Sequence, residues 1–277
     1  MKSVSVIIPV YNSEKTIYRV LESVYRQTAI KRIIEVIVID DGSKDNSRNI
    51  IKKFIESHRL LNIILIEQEN RGVSCARNQG MRKATGDFIA LLDSDDLWLP
   101  NKIERQLEII EKYPEIVFLG TGHFLGAEKK EVHLSIRGKR IHGLFKATLH
   151  DIYWKQFPAT PSVIFRREAL KYVGYFDENQ RYGEDINYFQ KFCIHCNYYY
   201  LAEPLLQVAY NKAYFGSEGL SANFQGMYKG NLKNLRELYD GGYFTFRDYL
   251  TYRIYFLLKY WRRIIIRLIN KLFIQKK

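Results

Sequence analysis

The chain has few cysteines and fewer acidic than basic residues. Its three cysteines cannot all pair with one another, which excludes a small scaffold held by disulfides. The 277 residues are 47% hydrophobic and 26% charged, a balance that excludes a disordered or collagen-like chain and predicts a globular protein with a sizeable core. Because the sequence opens on a strand-like segment rather than a signal peptide, we expect a cytoplasmic location.

Several nucleotide-binding and metal-binding motifs are also absent from the sequence. There is no Gly-x-Gly-x-x-Gly segment and no Walker A loop, so a dinucleotide-binding fold and a P-loop NTPase are unsupported. Cys193 and Cys196 have Cys-x-x-Cys spacing, but a second cysteine pair for a zinc site is missing. We therefore interpret these two cysteines as packing residues of a helix.

Positive charge exceeds negative charge, and much of the excess lies at one end. The formal net charge is +13, which suggests an anionic partner such as a nucleotide, a nucleic acid or a phospholipid surface. Residues 251–277, here named the C-terminal tail, contain eight Lys and Arg residues and no acidic residue. We expect no nucleic-acid partner, because no nucleic-acid-binding motif accompanies these cations.

The spacing in the C-terminal tail predicts an amphipathic helix with a narrow apolar face and an opposite basic face. Each charge near the centre of a bilayer would cost about 2.5–3.5 kcal/mol, so the tail should lie on an anionic membrane surface rather than cross it. A terminal helix that packs on the core and exposes its basic face is the alternative. The apolar face contains Ile254, Leu257, Leu258, Trp261, Ile265, Leu268 and Leu272, and the basic face contains Lys259, Arg262, Arg263, Arg267 and Lys271.

Strand-like and helix-like segments alternate in the first hundred residues. Apolar, β-branched runs cover residues 4–9, 33–39, 63–66 and 88–92, and apolar residues recur at helical spacing between them. No hairpin turn joins these runs. The alternation predicts an α/β fold with a mainly parallel central sheet and helices on both faces.

Polar loops follow three of these strands, and the carboxyl ends of parallel strands are where such sheets bind ligands. The loops are Pro9-Val10-Tyr11-Asn12, Asp40-Asp41-Gly42-Ser43 and Asp93-Ser94-Asp95-Asp96. Neighbouring carboxylates repel unless a cation or a donor lies between them, so the third loop favours Mg²⁺ or Mn²⁺, held together with substrate phosphates. Alternatively, Asp95 and Asp96 cap a helix that begins near Pro100.

Two further side chains are candidates for contacts with a nucleotide. Asp41 could accept a hydrogen bond from a base N–H, although a turn or helix cap would also explain this loop. Arg77 follows on a helix directed at the same edge, and its fork of donors suits a diphosphate. A solvated helix arginine is the alternative for Arg77.

Five motifs follow one another in the first hundred residues. They are residues 4–12, Ile39-Asp40-Asp41-Gly42-Ser43, Asn70-Arg71-Gly72, Ala76-Arg77-Asn78-Gln79-Gly80 and Leu92-Asp93-Ser94-Asp95-Asp96. In this order they resemble the motifs of inverting GT-A glycosyltransferases of family 2. The resemblance implies a nucleotide-sugar-binding fold and a nucleoside diphosphate sugar donor, for which we expect a UDP-sugar. It places Pro9, Tyr11 and Asp41 near the nucleotide base, Asp93 by the ribose and diphosphate, and Asp95 on Mn²⁺ or Mg²⁺.

The second half adds Gly174-Tyr175-Phe176-Asp177 and then Gly183-Glu184-Asp185, similar to the Gly-x-Phe-Asp and Glu-Asp elements of that family. The resemblance implies that Asp185 is the base and that Glu184 contacts substrate. Inverting transfer needs such a carboxylate to take the proton of the attacking hydroxyl. The alternative is that both acids only favour the N-terminus of a helix. Lys212, which precedes Gly219-Leu220-Ser221, either replaces an arginine of the family or lies on the surface.

We therefore expect a GT-A domain over residues 1–220 and a helical extension over residues 221–277. The expected activity is transfer of a sugar to a glycan acceptor, expected to be lipid-linked, in surface polysaccharide or lipopolysaccharide synthesis at the cytoplasmic face of the inner membrane. The alternative is a noncatalytic nucleotide-sugar-binding or membrane-scaffold protein. A nucleotidyltransferase is disfavoured, because the first loop lacks glycine and basic residues.

Overall fold

The structure is a computed structural model, and it describes residues 2–208 and 222–274. The predicted boundary at 220/221, Lys212 and Gly219-Leu220-Ser221 lie outside the described residues. The strands are β1 Val4–Val10, β2 Ile33–Asp41, β3 Ile63–Gln68, β4 Phe88–Leu91, β5 Leu97–Trp98, β6 Phe118–Leu125, β7 Lys130–Val132, β8 Ser135–Ile136, β9 Lys139–Arg140, β10 Leu144–Lys146, β11 Ile164–Arg166 and β12 Tyr198–Val208. The helices are α1 Ile17–Tyr25, α2 Ser47–Ser57, α3 Val73–Lys83, α4 Lys102–Lys112, α5 Leu149–Lys155, α6 Leu170–Val173, α7 Glu184–His195, α8 Phe224–Asp240 and α9 Phe246–Ile274.

The central sheet has the order β10-β12-β6-β11-β4-β1-β2-β3. Strands β3, β2, β1 and β4 are parallel, with Val6 opposite Val36 and Ala90, so the predicted α/β alternation is confirmed. The other half is mixed, because β11 runs antiparallel to both β4 and β6. The sequence did not indicate this reversal, since a strand of three residues carries no pattern that reveals its direction.

Helices cover both faces of the sheet, as predicted. Successive strand residues point to opposite faces, so Val6 packs in one cluster and Ile7 in the other. The cluster around Val6 contains residues of α1, α2 and α4, and the cluster around Ile7 contains residues of α3, α7, α8 and α9. These two layers hold the carboxyl ends of β1, β2 and β4 in a fixed arrangement.

Helix α9 packs on the body through its aromatic and basic side, not through its apolar face. Tyr252 and Phe256 are buried, and Nζ of the half-buried Lys259 donates a 2.7 Å hydrogen bond to Oε1 of Gln156. Burial also lowers the pKa of Lys259 to about 8. The helix thus packs on the core, as the alternative in the sequence analysis stated, but it does so through Tyr252, Phe256 and Lys259 and not through the predicted apolar face. Large side chains that remain exposed are Ile254, Leu257, Leu258, Trp261, Ile265 and Leu268.

The length and composition of the helices bear on membrane crossing. Within residues 2–208 and 222–274, none combines the length and the apolar content of a bilayer-spanning segment.

Cys193 and Cys196 lie at the end of α7 and pack against the core beside it, as the sequence predicted.

Candidate active site

Pro9 and Tyr11, which were predicted to lie near the nucleotide base, are at the end of β1 and differ in exposure. Pro9 is inside the strand, buried and opposite Ile39, so its side chain is part of the sheet rather than of a loop. Tyr11 follows the strand and is 48% exposed. Beyond it, Asn12 accepts a 2.9 Å hydrogen bond from the Lys44 amide and so joins the first two loops. Of the two predicted residues, only Tyr11 presents a side chain to solvent at this edge.

Asp41 ends β2, and its carboxylate organises the loop before α3. Its Oδ1 accepts hydrogen bonds from Nε2 of Gln68 and from the Arg71 amide, at 2.7 and 2.8 Å. Its Oδ2 accepts a 2.9 Å hydrogen bond from the amide of Gly72, whose φ is +90°. Asp41 thus holds the start of α3 in place, and a ligand base would have to share its remaining lone pairs.

The third loop, Asp93-Ser94-Asp95-Asp96, is tied to the first. Ser94 Oγ lies 2.8 Å from Ser13 Oγ, and the Ser94 carbonyl accepts a 2.6 Å hydrogen bond from Thr16 Oγ1. Helix α4 begins at Lys102 after Asn101, so the alternative that Asp95 and Asp96 cap that helix is wrong. Asp95 is half-buried at this edge.

Arg77 is buried and joins two motifs that are distant in the sequence. Its Nη2 lies 2.8 Å from Oδ1 of Asp93, and its Nη1 lies 3.3 Å from Oε1 of Glu184. Its guanidinium carbon also lies 5.2 Å from the centre of the Phe176 ring. The alternative of a solvated helix arginine is therefore wrong. The structure brings Arg77, Asp93, Glu184 and Asp185 together at the edge where the parallel strands end.

The Glu184-Asp185 pair begins α7 and is partly removed from water. Burial, and then the charge of Asp185, raise the pKa of Glu184 to about 7, and Arg77 opposes this rise. Burial also raises the pKa of Asp185, with a contribution from Asp93, while the Ile186 amide and Arg77 lower it. One proton can thus reside on this pair near neutral pH, so the site holds a carboxyl group suited to proton transfer.

A second set of contacts, which the sequence analysis missed, fixes the segment before α7. Nδ2 of the buried Asn78 donates to the Phe176 carbonyl, and its Oδ1 accepts from the Phe176 amide, both at 2.9 Å. Nδ2 also donates a 2.9 Å hydrogen bond to Glu178. The sequence did contain a signal for these contacts. Ala76-Arg77-Asn78 lies on a weakly amphipathic helix, so two large polar side chains fall where the helix has to pack against the core.

The donor atoms at this edge can be compared with the needs of a divalent metal. In the part of the chain that the structure describes, no three His, Cys, Asp or Glu side chains are grouped as a metal site. The hard carboxylate oxygens of Asp93 and Asp95 suit Mg²⁺ or Mn²⁺, and these ions commonly take only one or two carboxylates plus substrate phosphates. The residues present therefore fit a metal that binds together with a diphosphate.

Comparison with known proteins identifies the family. The model described as Glycosyl transferase family 2 matches residues 5–174, more than half of the chain. The chain belongs to glycosyl transferase family 2. An uncharacterized glycosyltransferase of Rickettsia typhi is 30% identical over 84% of this chain and 72% of its own length. One from Nostoc is 35% identical over 61% of this chain and 52% of its own length, so this chain spans about half of that relative.

Solved structures of similar enzymes support the GT-A fold of this family 2 member. TarS 1–349 of S. aureus in complex with UDP-GlcNAc is 24% identical, with a TM-score of 0.69 over 86% of this chain and 66% of the TarS 1–349 chain. The mannosyltransferase PcManGT from Pyrobaculum calidifontis, in complex with GDP-Man and Mn²⁺, is 19% identical, with a TM-score of 0.60 over 84% of this chain and 63% of its own. Both comparisons establish the fold, and the chain is a family 2 glycosyltransferase with that fold.

Proposed function

We propose that this glycosyltransferase is an inverting, divalent-metal-dependent enzyme that moves a sugar from a nucleoside diphosphate sugar to a hydroxyl of a glycan acceptor. The observation that carries the proposal is the ion-paired cluster around Arg77. It joins Asp93, on the loop expected to hold the donor, to Glu184 beside the expected base, Asp185. A donor diphosphate and an acceptor hydroxyl could thus be held on the two sides of one buried guanidinium.

The proposed step needs one base and no covalent intermediate. The acceptor oxygen forms a bond to the anomeric carbon, the bond from that carbon to the diphosphate oxygen breaks, and Asp185 takes the hydroxyl proton. Attack from the face opposite the diphosphate inverts the anomeric configuration. Because burial raises the pKa of Asp185, its carboxylate is a stronger base than an exposed aspartate.

We propose that Asp95 holds the metal, that Asp93 lies by the ribose and diphosphate of the donor, and that Arg77 and Glu184 border the donor. When bound, Mn²⁺ or Mg²⁺ would neutralise charge on the departing diphosphate. Tyr11 and Asp41 are proposed near the base, with the buried Pro9 shaping the strand beneath them. A UDP-sugar donor is favoured by the TarS complex with UDP-GlcNAc, whereas the PcManGT complex with GDP-Man keeps a GDP-sugar as the competing outcome.

The experiment that tests this activity is a panel of nucleotide sugars offered with Mn²⁺, with Mg²⁺ or with a chelator. Thermal shift and release of nucleoside diphosphate are followed in the same samples. We expect one donor to stabilise the protein only when metal is present, with slow release of nucleoside diphosphate. Release of a sugar 1-phosphate instead of a nucleoside diphosphate would indicate a nucleotidyltransferase, because nucleotidyl transfer breaks the bond between the two phosphates of the donor. Binding without release, also after acceptor glycans are added, would indicate the noncatalytic alternative.

We further propose that the C-terminal tail holds the enzyme on an anionic membrane surface, where a lipid-linked acceptor would be reached. The outward apolar face of α9 supports this, because it exposes side chains such as Leu258 and Trp261 that an interfacial helix buries in lipid. The exposed Arg253 and Arg262 lie on either side of this face and suit anionic headgroups. The proposed place is the cytoplasmic face of the inner membrane, in surface polysaccharide or lipopolysaccharide synthesis. Residues 1–220 would form the transferase domain, and residues 221–277 would form the extension.

A further inference from the structure

Helix α8 approaches the segment before α7 more closely than ordinary side chains would allow. A Cβ added at Gly230 would lie 2.0 Å from the carbonyl oxygen of Tyr182, which is a backbone clash. One turn earlier, a Cβ at Gly226 would lie 2.6 Å from the ring of Tyr182. These two glycines therefore let the C-terminal extension lie directly against the backbone that leads into Glu184 and Asp185.

Asn234 uses this close approach to hold the same segment by hydrogen bonds. Its side chain is fully buried, and its Nδ2 donates a 2.8 Å hydrogen bond to the carbonyl of Gly183. Its Oδ1 accepts hydrogen bonds from Nε2 of Gln180 at 2.7 Å and from Nδ2 of Asn187 at 3.2 Å. One side chain thus joins points before and after the Glu184-Asp185 pair.

The backbone at Gly183 has little stiffness of its own, so contacts from other elements have to fix its direction. Gly183 precedes α7 with φ at +69°, a left-handed conformation that a glycine adopts without strain and from which it can also depart easily. The direction in which α7 leaves Gly183 determines where Asp185 lies relative to Arg77. A displacement of about 1 Å at a reacting group can reduce the rate by about 100-fold.

We propose that Asn234 is a positioning residue for Asp185. Helix α8 therefore contributes to the active site, although it belongs to the C-terminal extension. This inference rests on the proposed role of Asp185 as the base. It also assigns the extension a function that does not depend on any membrane contact, because Asn234 faces the body and not the apolar face of α9.

The test compares Asn234→Ala with Leu235→Ala, a neighbouring and equally buried position that has no hydrogen bond to the loop. We expect Asn234→Ala to lower kcat by at least about 10-fold while the Kd for nucleoside diphosphate and metal stays within about twofold, since the hydrogen bonds of Asn234 go to Gln180, Gly183 and Asn187 rather than to the three polar loops. Leu235→Ala should lower thermal stability and keep kcat per folded molecule. An equal kcat for the two variants would overturn the proposal.

A second comparison remains informative if Asn234→Ala folds poorly. Gly230→Ala meets the Tyr182 backbone, whereas Gly226→Ala meets only its ring, which can rotate away. Gly230→Ala should therefore reduce kcat much more than Gly226→Ala. Hydrogen exchange of residues 180–188 should accelerate in Asn234→Ala and in Gly230→Ala while that of residues 33–41 is unchanged. Unchanged exchange in residues 180–188 would contradict the positioning role, whatever the activity.

Asp185→Asn, measured beside these variants, separates this inference from the proposed function. If Asp185→Asn keeps full transfer, the proposed base is wrong, although the exchange result still reports on Asn234. If Asp185→Asn abolishes transfer while Asn234→Ala and Gly230→Ala retain it, the proposed function stands and the positioning role of Asn234 is wrong.

Discussion

The guanidinium of Arg77 donates a 2.8 Å hydrogen bond to the carboxylate of Asp93. Both residues belong to motifs recognised separately in the sequence, on α3 and after β4. The same guanidinium contacts Glu184 at 3.3 Å, so three segments of the chain meet at one buried cation. Arg77 thus places a fixed positive charge beside Asp93, which is expected by the ribose and diphosphate, and beside Glu184, which precedes the expected base Asp185.

Replacing Arg77 should damage both folding and activity. In Arg77→Ala, Asp93 and Glu184 lose their shared cation while they remain partly buried, and we expect the free energy of unfolding to fall by about 3 kcal/mol. Chemical denaturation measures this loss. The matched control is Arg82→Ala on the same helix, whose side chain is 52% exposed and forms a surface ion pair. Equal losses for the two variants would contradict the central position of Arg77.

Asp95→Asn should weaken metal-dependent donor binding. An amide oxygen is a weaker ligand than a carboxylate for Mn²⁺, so we expect the Kd for Mn²⁺ with nucleoside diphosphate to rise by about 10-fold or more. Isothermal titration calorimetry gives this constant. Glu69→Gln removes an exposed carboxylate that follows β3 and should leave the constant unchanged. If Asp95→Asn binds Mn²⁺ and nucleotide as tightly as the original protein, Asp95 is not the ligand.

Glu184→Gln should stabilise the metal-free protein at high pH. Burial raises the pKa of Glu184 to about 7 in the folded state, above the usual 4.5 of an exposed glutamate, so the folded state binds its proton more tightly than the unfolded state. Wild-type stability from this group therefore falls as pH rises from about 4.5 to 7 and is then constant. Relative to wild type, the variant should gain about 3 kcal/mol between pH 4 and pH 8. If the two proteins differ in free energy of unfolding by the same amount at pH 4 and at pH 8, the burial of the Glu184 carboxylate does not reduce stability.

Leu258→Asp should reduce binding to anionic vesicles. Leu258 is 64% exposed at the centre of the outward face of α9, and a carboxylate there opposes both insertion and attraction to anionic lipid. Vesicle flotation at low and high salt measures this binding. Leu60→Asp is the matched control, because Leu60 is 86% exposed on the body, away from the tail. Equal flotation of the two variants would contradict membrane association through α9.

The parallel half of the fold could be predicted from the sequence because each strand there is an apolar run that ends in a polar loop. Strands β1, β2, β3 and β4 begin at the predicted residues, and a helix lies between each pair of successive strands, as the helical spacing predicted. The antiparallel β11 could not be predicted, since Ile164–Arg166 is too short to show a pattern. Its direction depends on pairing with β4 and β6, which are distant in the sequence.

The candidate site was predictable in its residue types and less so in its contacts. Acidic pairs after apolar strands indicated Asp41, Asp93 and Asp95, whereas the ion pairs of Arg77 depend on where α7 returns to the sheet. Asn234 could not be found from its local sequence, because a single asparagine in an amphipathic helix resembles a surface residue. The sequence left two alternatives open for α9, since periodicity defines two faces but does not show which of them meets the body.

The most direct test of the central claim is turnover by Asp185→Asn, with donor binding measured on the same sample. Asparagine has nearly the same shape but cannot accept the hydroxyl proton as a base. We therefore predict that transfer to the acceptor falls by at least about 100-fold while the Kd for the nucleotide sugar with metal changes by less than about threefold. Transfer at the wild-type rate by Asp185→Asn would contradict the account.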